Sequence, residues 1–358
     1  GVRIMAYTTI DDPSAHFHTQ LYTGSGSSGL SVTNGANAGD FKPDLLWIKP
    51  RSLADNNVIF DSSRGQDRQL KPNGTDAEDT HSPARITFET DGFDVDTTDQ
   101  NYNQSSATYV AWQWIANGGT TSSNSSGDIT TTVQANTTAG FSIFTYTGTG
   151  TDGDTIGHGL GAVPDWIWIK ARSIANDQTI YHSANTSAPE TEFLIMQDTD
   201  ATSDSNTRWS DTAPTSTLIT LGNNAGVNGS TQTYVGYAFA EKQGYSKFGT
   251  YTGTSNADGP FIYTGFKPAW IILKRSSSTG NWLMYDNKRD TDNEALSYVL
   301  SNKNDAESTA ADGIDLLSNG FKIRRTGVSW NNSGDTYIYM AFAEHPFVSS
   351  KGVPTTAR

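Results

Sequence analysis

Three stretches of this chain repeat one phrase: PDLLWIK at 43–49, PDWIWIK at 164–170 and PAWIILK at 268–274. Each opens on proline and closes on lysine six residues later. An aromatic residue follows 17 positions after each proline, at Phe60, Tyr181 and Tyr285. Upstream of each stands Tyr-Thr-Gly, beginning at Tyr22, Tyr146 and Tyr251. Downstream comes an apolar segment led by tyrosine: YVAWQW from 109, YVGYAF from 234 and YIYMAF from 337. Four anchors in a constant order predict three internal repeats. The prolines lie 121 and then 104 residues apart, which is the length of whole small domains rather than solenoid units.

The phrase reads as a strand. Side chains alternate between faces along a strand. Trp166, Trp168 and Lys170 therefore share one face, with Ile167 and Ile169 on the other. Leu45, Trp47 and Lys49 oppose Leu46 and Ile48 in the first copy. Trp270, Ile272 and Lys274 oppose Ile271 and Leu273 in the third. Both faces are apolar up to the lysine, so the strand is expected to be central and covered on both sides. The lysine is expected to mark the end of that cover, where its stem carries the ammonium out to water.

Strand signals dominate elsewhere. Short β-branched and aromatic runs are bounded by Gly, Asn and Asp. Asn34-Gly35, Asn73-Gly74, Asp91-Gly92, Asn228-Gly229, Asp312-Gly313 and Asn319-Gly320 read as turns needing positive φ. The best helix candidate is NEALSYVLSNK, 293–303. The expected class is all-β, with three repeated β-sandwich domains in tandem, of jelly-roll or lectin-like type. Their expected bounds are 1–117, 118–243 and 244–358. Residues 117–128, NGGTTSSNSSGD, read as a flexible linker, and 129–138 as a lead-in strand. Met5-Ala6-Tyr7 reads as a natural start, with no apolar leader in the first 12 residues.

Nine Trp, 15 Tyr and 15 Phe in so polar a chain fit thin cores filled by aromatics, and they argue against disorder. The 24 basic and 38 acidic residues give a formal charge of −14. Without a basic stripe, that charge disfavours nucleic acid and anionic membrane surfaces. There is no cysteine, hence no disulfide and no thiolate metal site. No run of 18 apolar residues is present.

Few residues invite a chemical role. Asp61-x-x-Arg64 and Asp286-x-x-Arg289 recur at equivalent places, where the second copy has His182 and Asn185. A carboxylate and a guanidinium so close most often fasten a loop. General acid–base catalysis by Asp61 would need a second group across a substrate, and none is nominated. His16-x-His18 places two imidazoles two residues apart, more simply a terminal strand than a metal ring. Asp152-Gly153-Asp154 reads as a turn, since it lacks the spaced ligands of a calcium loop. Neither a phosphate loop nor a nucleophile elbow is present. Trp47, Lys49, Trp166, Trp168, Lys170, Trp270 and Lys274 are the candidate contacts, either stacking a glycan or meeting another subunit. Core packing is the simpler role for the tryptophans.

HGLGAVPDWIWIKARS (158–173), YTGFKPAWIILKRSSSTGNW (263–282), NGFKIRR and YIYMAFAEHPF resemble a module common in predicted structural proteins of marine bacteriophages. AYTTIDDPSAHFHTQLYTG and HPFVSSKGVPTTAR resemble the ends of such proteins. The second copy departs from the pattern, lacking the turn seen at Asp91–Phe93 and Asn319–Phe321. The resemblance implies a non-enzymatic virion protein without cofactor, at the particle surface as capsid decoration or a tail-fibre part. Its implied partners are other virion proteins. A homo-oligomer is expected because each apolar outer face needs cover, and a trimer is favoured because tail fibres and many capsid attachments follow threefold sites. A glycan-binding adhesin and, behind it, a polysaccharide depolymerase are the rival readings.

Overall fold

The computed structural model describes residues 6–36 and 39–355; the start read at Met5 lies outside them. The chain is nearly all β. Among the described residues the α-helices are single turns, Asn206–Trp209 and Val328–Asn331. None of the described helices is long and apolar enough to cross a membrane.

Three antiparallel sheets share one strand order. In each, a lead strand pairs with the Tyr-led strand, which pairs with the Pro-led strand, followed by three further strands in the first two sheets and five in the third. The lead strands are Phe17–Thr23, Phe141–Thr147 and Ser246–Thr252. The Tyr-led strands are Thr108–Trp114, Thr233–Phe239 and Thr336–Pro346. The Pro-led strands are Leu45–Pro50, Trp166–Ala171 and Phe266–Arg275. Each is central, as its two apolar faces require.

The register explains two of the sequence anchors. Tyr22 is paired with Tyr109, Tyr146 with Tyr234, and Tyr251 with Tyr337. In all three pairs the rings stack, with centroids 4.9, 5.0 and 4.9 Å apart. Cross-strand aromatic pairs of this kind hold a sheet in register.

The face alternation read from sequence holds. Leu46 and Ile48, Ile167 and Ile169, and Ile271 and Leu273 each sit in a separate outer core belonging to their own sheet. The opposite faces converge. Trp47, Trp112, Trp114, Trp166, Trp168, Trp270 and Trp282 all belong to one core shared by the three sheets. Trp47 meets Trp168, Trp112 meets Trp270, and Trp166 meets Trp282, with centroids 5.4, 6.3 and 5.7 Å apart. Each sheet is thus covered on one side by its own outer layer and on the other by its two neighbours.

Several expectations are corrected. Residues 293–303 are not helical: Ala295–Leu300 is a strand whose burial alternates. The segment 117–128 is not a free linker, since Ser122–Asn124 pairs with Thr131–Asn136 as an added edge strand. Of the six Xaa-Gly pairs, Gly35 and Gly92 take positive φ, +56° and +110°. Gly313 instead lies within the strand Ser308–Leu317, where a Cβ would run into the carbonyl of Ala295.

Candidate functional site

Lys49, Lys170 and Lys274 do not reach water; all three are 0% exposed. Each ammonium is held by backbone carbonyls from two sheets. Lys49 Nζ donates to Asp55 O at 2.5 Å and to Asn304 O, in the third sheet's loops, at 3.2 Å. Lys170 Nζ donates to Asn176 O and to Thr75 O of the first, both at 2.8 Å. Lys274 Nζ donates to Gly280 O at 2.9 Å, Arg275 O at 2.8 Å and Thr199 O of the second at 3.0 Å. The expectation of a solvated lysine fails because the cover is supplied by residues far away in sequence. Burial pushes all three amines down, to about 8.

These contacts run in one rotational sense: first sheet to third, second to first, third to second. Other groups follow it. The residue 14 positions after each proline donates across the same seam. Asn57 Nδ2 bonds to Leu300 O and Lys303 O at 2.9 and 3.0 Å. Gln178 Nε2 bonds to Lys71 O, Pro72 O and Gly74 O at 2.8, 3.0 and 2.7 Å. Trp282 Nε1 bonds to Ile195 O at 3.0 Å. Three seams in one sense close a ring of three sheets. Sequence reading missed Asn57, Gln178 and Trp282, although their constant offset was available as a signal.

The Asp-x-x-Arg pairs belong to the same seams. Asp61 and Arg64, and Asp286 and Arg289, have side chains 0% exposed. Arg64 bonds Asp61 at 2.5 Å and Glu78 at 2.9 Å, and Glu78 bonds Arg172 of the second sheet at 2.8 Å. Tyr237 of the second sheet donates its hydroxyl to Asp61 at 2.7 Å. The third-to-first seam repeats this with Asp286, Arg289, Glu307 and Arg51, and Trp112 Nε1 donates to Asp286 at 3.1 Å. Burial alone would push the Glu78 carboxyl up. Hydrogen bonds from Arg172 and Arg64 and their charges hold it below its usual range.

The second-to-third seam keeps its lysine, Lys274, but has a neutral set in place of the relay. His182 and Asn185 replace Asp and Arg, while Thr202 and Ser276 stand where Glu78–Arg172 and Glu307–Arg51 do. The backbone bond of those pairs survives: Glu78 N–H to Arg172 O, Glu307 N–H to Arg51 O, and Thr202 N–H to Ser276 O, each at 2.8 Å. His182 Nε2 donates to Tyr339 O at 3.0 Å while Nδ1 accepts from Ala184 N–H. Burial pushes this imidazole down to about 4.

The candidate contact residues are therefore interior. Trp47, Trp166, Trp168 and Trp270 are 2, 0, 4 and 0% exposed. They offer no platform to a glycan and no face to a second chain, because the other two sheets already cover them. The argument that such faces need another subunit lapses with that cover. The two histidines part as well: His16 Nδ1 meets Asn136 Nδ2 at 3.2 Å, and His18 Nε2 meets Gln20 Oε1 at 3.3 Å. Among the described residues no cluster of three or more His, Asp or Glu is placed to hold a metal. What the assembled groups do chemically is fasten one sheet to the next.

No curated protein and no solved structure matches this chain. One family model does, without a break across all three sheets, from residue 12 to residue 346. The chain belongs to the family described as a domain of unknown function (DUF7483).

Proposed function

We propose that this chain is a non-enzymatic structural protein of a bacteriophage particle, carried on the virion surface as capsid decoration or a tail-associated part. The observation that carries the reading is the closed ring of seams. Buried lysines, guanidinium–carboxylate relays and a common tryptophan core bind the three sheets to one another. A body knit in this way keeps its shape under load, which is what a particle component needs. The resemblance at HGLGAVPDWIWIKARS and its two counterparts supplies the phage context. Its partners are other virion proteins, met through the outer surface of the ring.

Asp61, the carboxylate with the best claim to acid–base work, is enclosed by Arg64 and Tyr237. That supports a fastening role over a depolymerase. The test is direct. Particles purified from a lysate expressing the gene are analysed by mass spectrometry and labelled with antibody in electron micrographs. Recovery at fixed copy number on the particle surface is expected. A protein found only in the unassembled lysate would sink the proposal.

A further inference from the structure

The outer layer of the third sheet ends on the short strand Phe261–Tyr263, which pairs with Gly320–Ile323. Ile262 belongs to the outer core, while Phe261 and Tyr263 on either side of it face water, 46 and 53% exposed. Among the described residues no other aromatic side chain is so exposed. The other two sheets show what this place ordinarily holds. Val32 and Ile156 stand where Ile262 does, each paired with the strand that leads on to the Tyr-led strand. A Cβ on Gly92 would run into the carbonyl oxygen of Val32, and one on Gly320 into that of Ile262, each at 2.0 Å. The flanking residues are Ser31 and Thr33 in the first sheet, and Thr155 and Gly157 in the second. The fold therefore needs no aromatic ring at either position.

Both rings rest on glycine. The Phe261 ring lies over Gly320, the direct partner of Tyr263, where a Cβ would come within 3.1 Å of its Cε2. The Tyr263 ring lies over Gly265, whose Cβ would stand 3.6 Å from the hydroxyl oxygen and 3.7 Å from Cε1. Tyr7 fastens that end: its hydroxyl meets that of Tyr263 at 3.2 Å and donates to Gly265 O at 2.8 Å. Residues two apart on a strand share a face at a spacing of roughly 6.6 Å, so the rings lie side by side. Beside Tyr263 is a hollow of about 250 Å³, walled also by Tyr7, Glu241, Gln243, Lys247 and Thr264. Glu241 and Lys247 are paired at 2.7 Å, so their charges cancel.

We propose that this platform binds a neutral oligosaccharide. A sugar ring has a face of C–H groups and a rim of hydroxyls. The C–H faces of successive sugars stack on Phe261 and Tyr263, and the hydroxyls turn to the hollow, where Gln243, Glu241 and Lys247 offer both donors and acceptors. A second protein is the poorer match, since stable contacts bury about 1,200–2,000 Å² in all and two rings supply little of that. The cancelled charge of the hollow and the chain's net −14 disfavour an acidic glycan. With glycine beneath them and Tyr7 at one end, the rings are set before a ligand arrives, and little freedom is lost on binding. Such binding goes beyond a structural role and does not depend on where the protein sits.

The test uses the full chain with maltohexaose, cellohexaose and mannohexaose as neutral probes and hexagalacturonate as the acidic one, followed by calorimetry and saturation-transfer NMR. At least one neutral hexamer is expected to bind, and hexagalacturonate at least tenfold more weakly. The double variant Phe261→Ser/Tyr263→Thr installs the residues of the first sheet. It is expected to melt as the parent does and to lose binding at least tenfold. Phe261→Tyr, which keeps both rings, is expected to keep the binding. Failure of all three neutral hexamers to bind the parent overturns the proposal. So does hexagalacturonate binding as well as they do, binding that survives in the double variant, or binding lost in Phe261→Tyr. A parent dimer that the double variant abolishes also overturns it, because a second copy is then the occupant.

Discussion

Lys170, in the second sheet, hydrogen-bonds the carbonyl oxygen of Thr75, a residue of the first sheet 95 positions earlier, at 2.8 Å. With its counterparts at Lys49 and Lys274, it makes the ends of the Pro-led strands into clasps between sheets. Replacing Lys170 by Met keeps the stem and removes the clasp. The expected loss is about 1–3 kcal/mol of unfolding free energy, measured by urea titration, because buried carbonyls lose a donor. An unchanged midpoint would show that Lys170 is not a clasp.

The charged relays and the neutral set predict opposite responses to partial and complete change. Arg64→Asn alone leaves Asp61 and Glu78 buried beside each other without their shared cation. It is expected to cost about 3–5 kcal/mol. Changing all four partners to the residues of the neutral set (Asp61→His, Arg64→Asn, Glu78→Thr, Arg172→Ser) is expected to cost less than that single change. Thermal and chemical denaturation of the two variants decides it.

Titration gives the third expectation. The lysines fall to about 8 in the folded chain, below their ordinary value of 10.5. Between those values the unfolded chain holds more protons, so stability rises with pH. The gain should begin near pH 8. It should be opposed above pH 10, where unfolded tyrosines ionise while the buried Tyr146 and Tyr251, raised by burial, resist. On the acid side His182 and His158 are pushed down to about 4 by burial. Stability present above their ordinary 6.5 should be lost as pH falls toward 4. Urea midpoints from pH 4 to 10.5 test both limbs. A flat profile between pH 8 and 10 would contradict the lysine assignment.

The shared core predicts that the sheets do not fold separately. Residues 118–243 expressed alone would expose Trp166, Trp168, Tyr237 and Phe239 to water. Burying a side chain of that size contributes about 1.5–3 kcal/mol. The fragment is expected to aggregate or to lack a cooperative melt, whereas the intact chain melts in one transition. Calorimetry of both is the measurement.

With those faces closed internally, the purified chain is expected to scatter light with the mass of one copy. A concentration-independent trimer would show that a different surface, outside the tryptophan core, joins chains.

Much of this was legible because strand parity is local. Trp166 and Ile167 fall on opposite faces whatever else the chain does, so the two cores could be read from seven residues. The seams were not, since their partners lie far apart in sequence. Glu78 and Glu307 stand 35 and 39 residues after their prolines, and that drift conceals the relay they complete. Lys170 was misread because a lysine after an apolar run ordinarily reaches water, and only distant carbonyls overrule that. The strand Ala295–Leu300 carries its signal in the alternation of Ala295, Ser297 and Val299, which the helix-forming composition of residues 293–303 masks.

The three seams differ in how the chain joins them. Covalent connections bridge the first sheet to the second and the second to the third. The third-to-first seam has no connection of its own, yet carries the same clasp, relay and backbone bond. Around it the outer segments already touch: Ser350 N–H donates to Asp11 Oδ1 at 2.6 Å, and Tyr7 OH to Gly265 O at 2.8 Å. The order of the sheets along the chain is therefore not a requirement of the ring. A circular permutant opened between residues 117 and 122, with a short glycine-rich join from residue 355 to residue 6, keeps every seam and should fold to the same body.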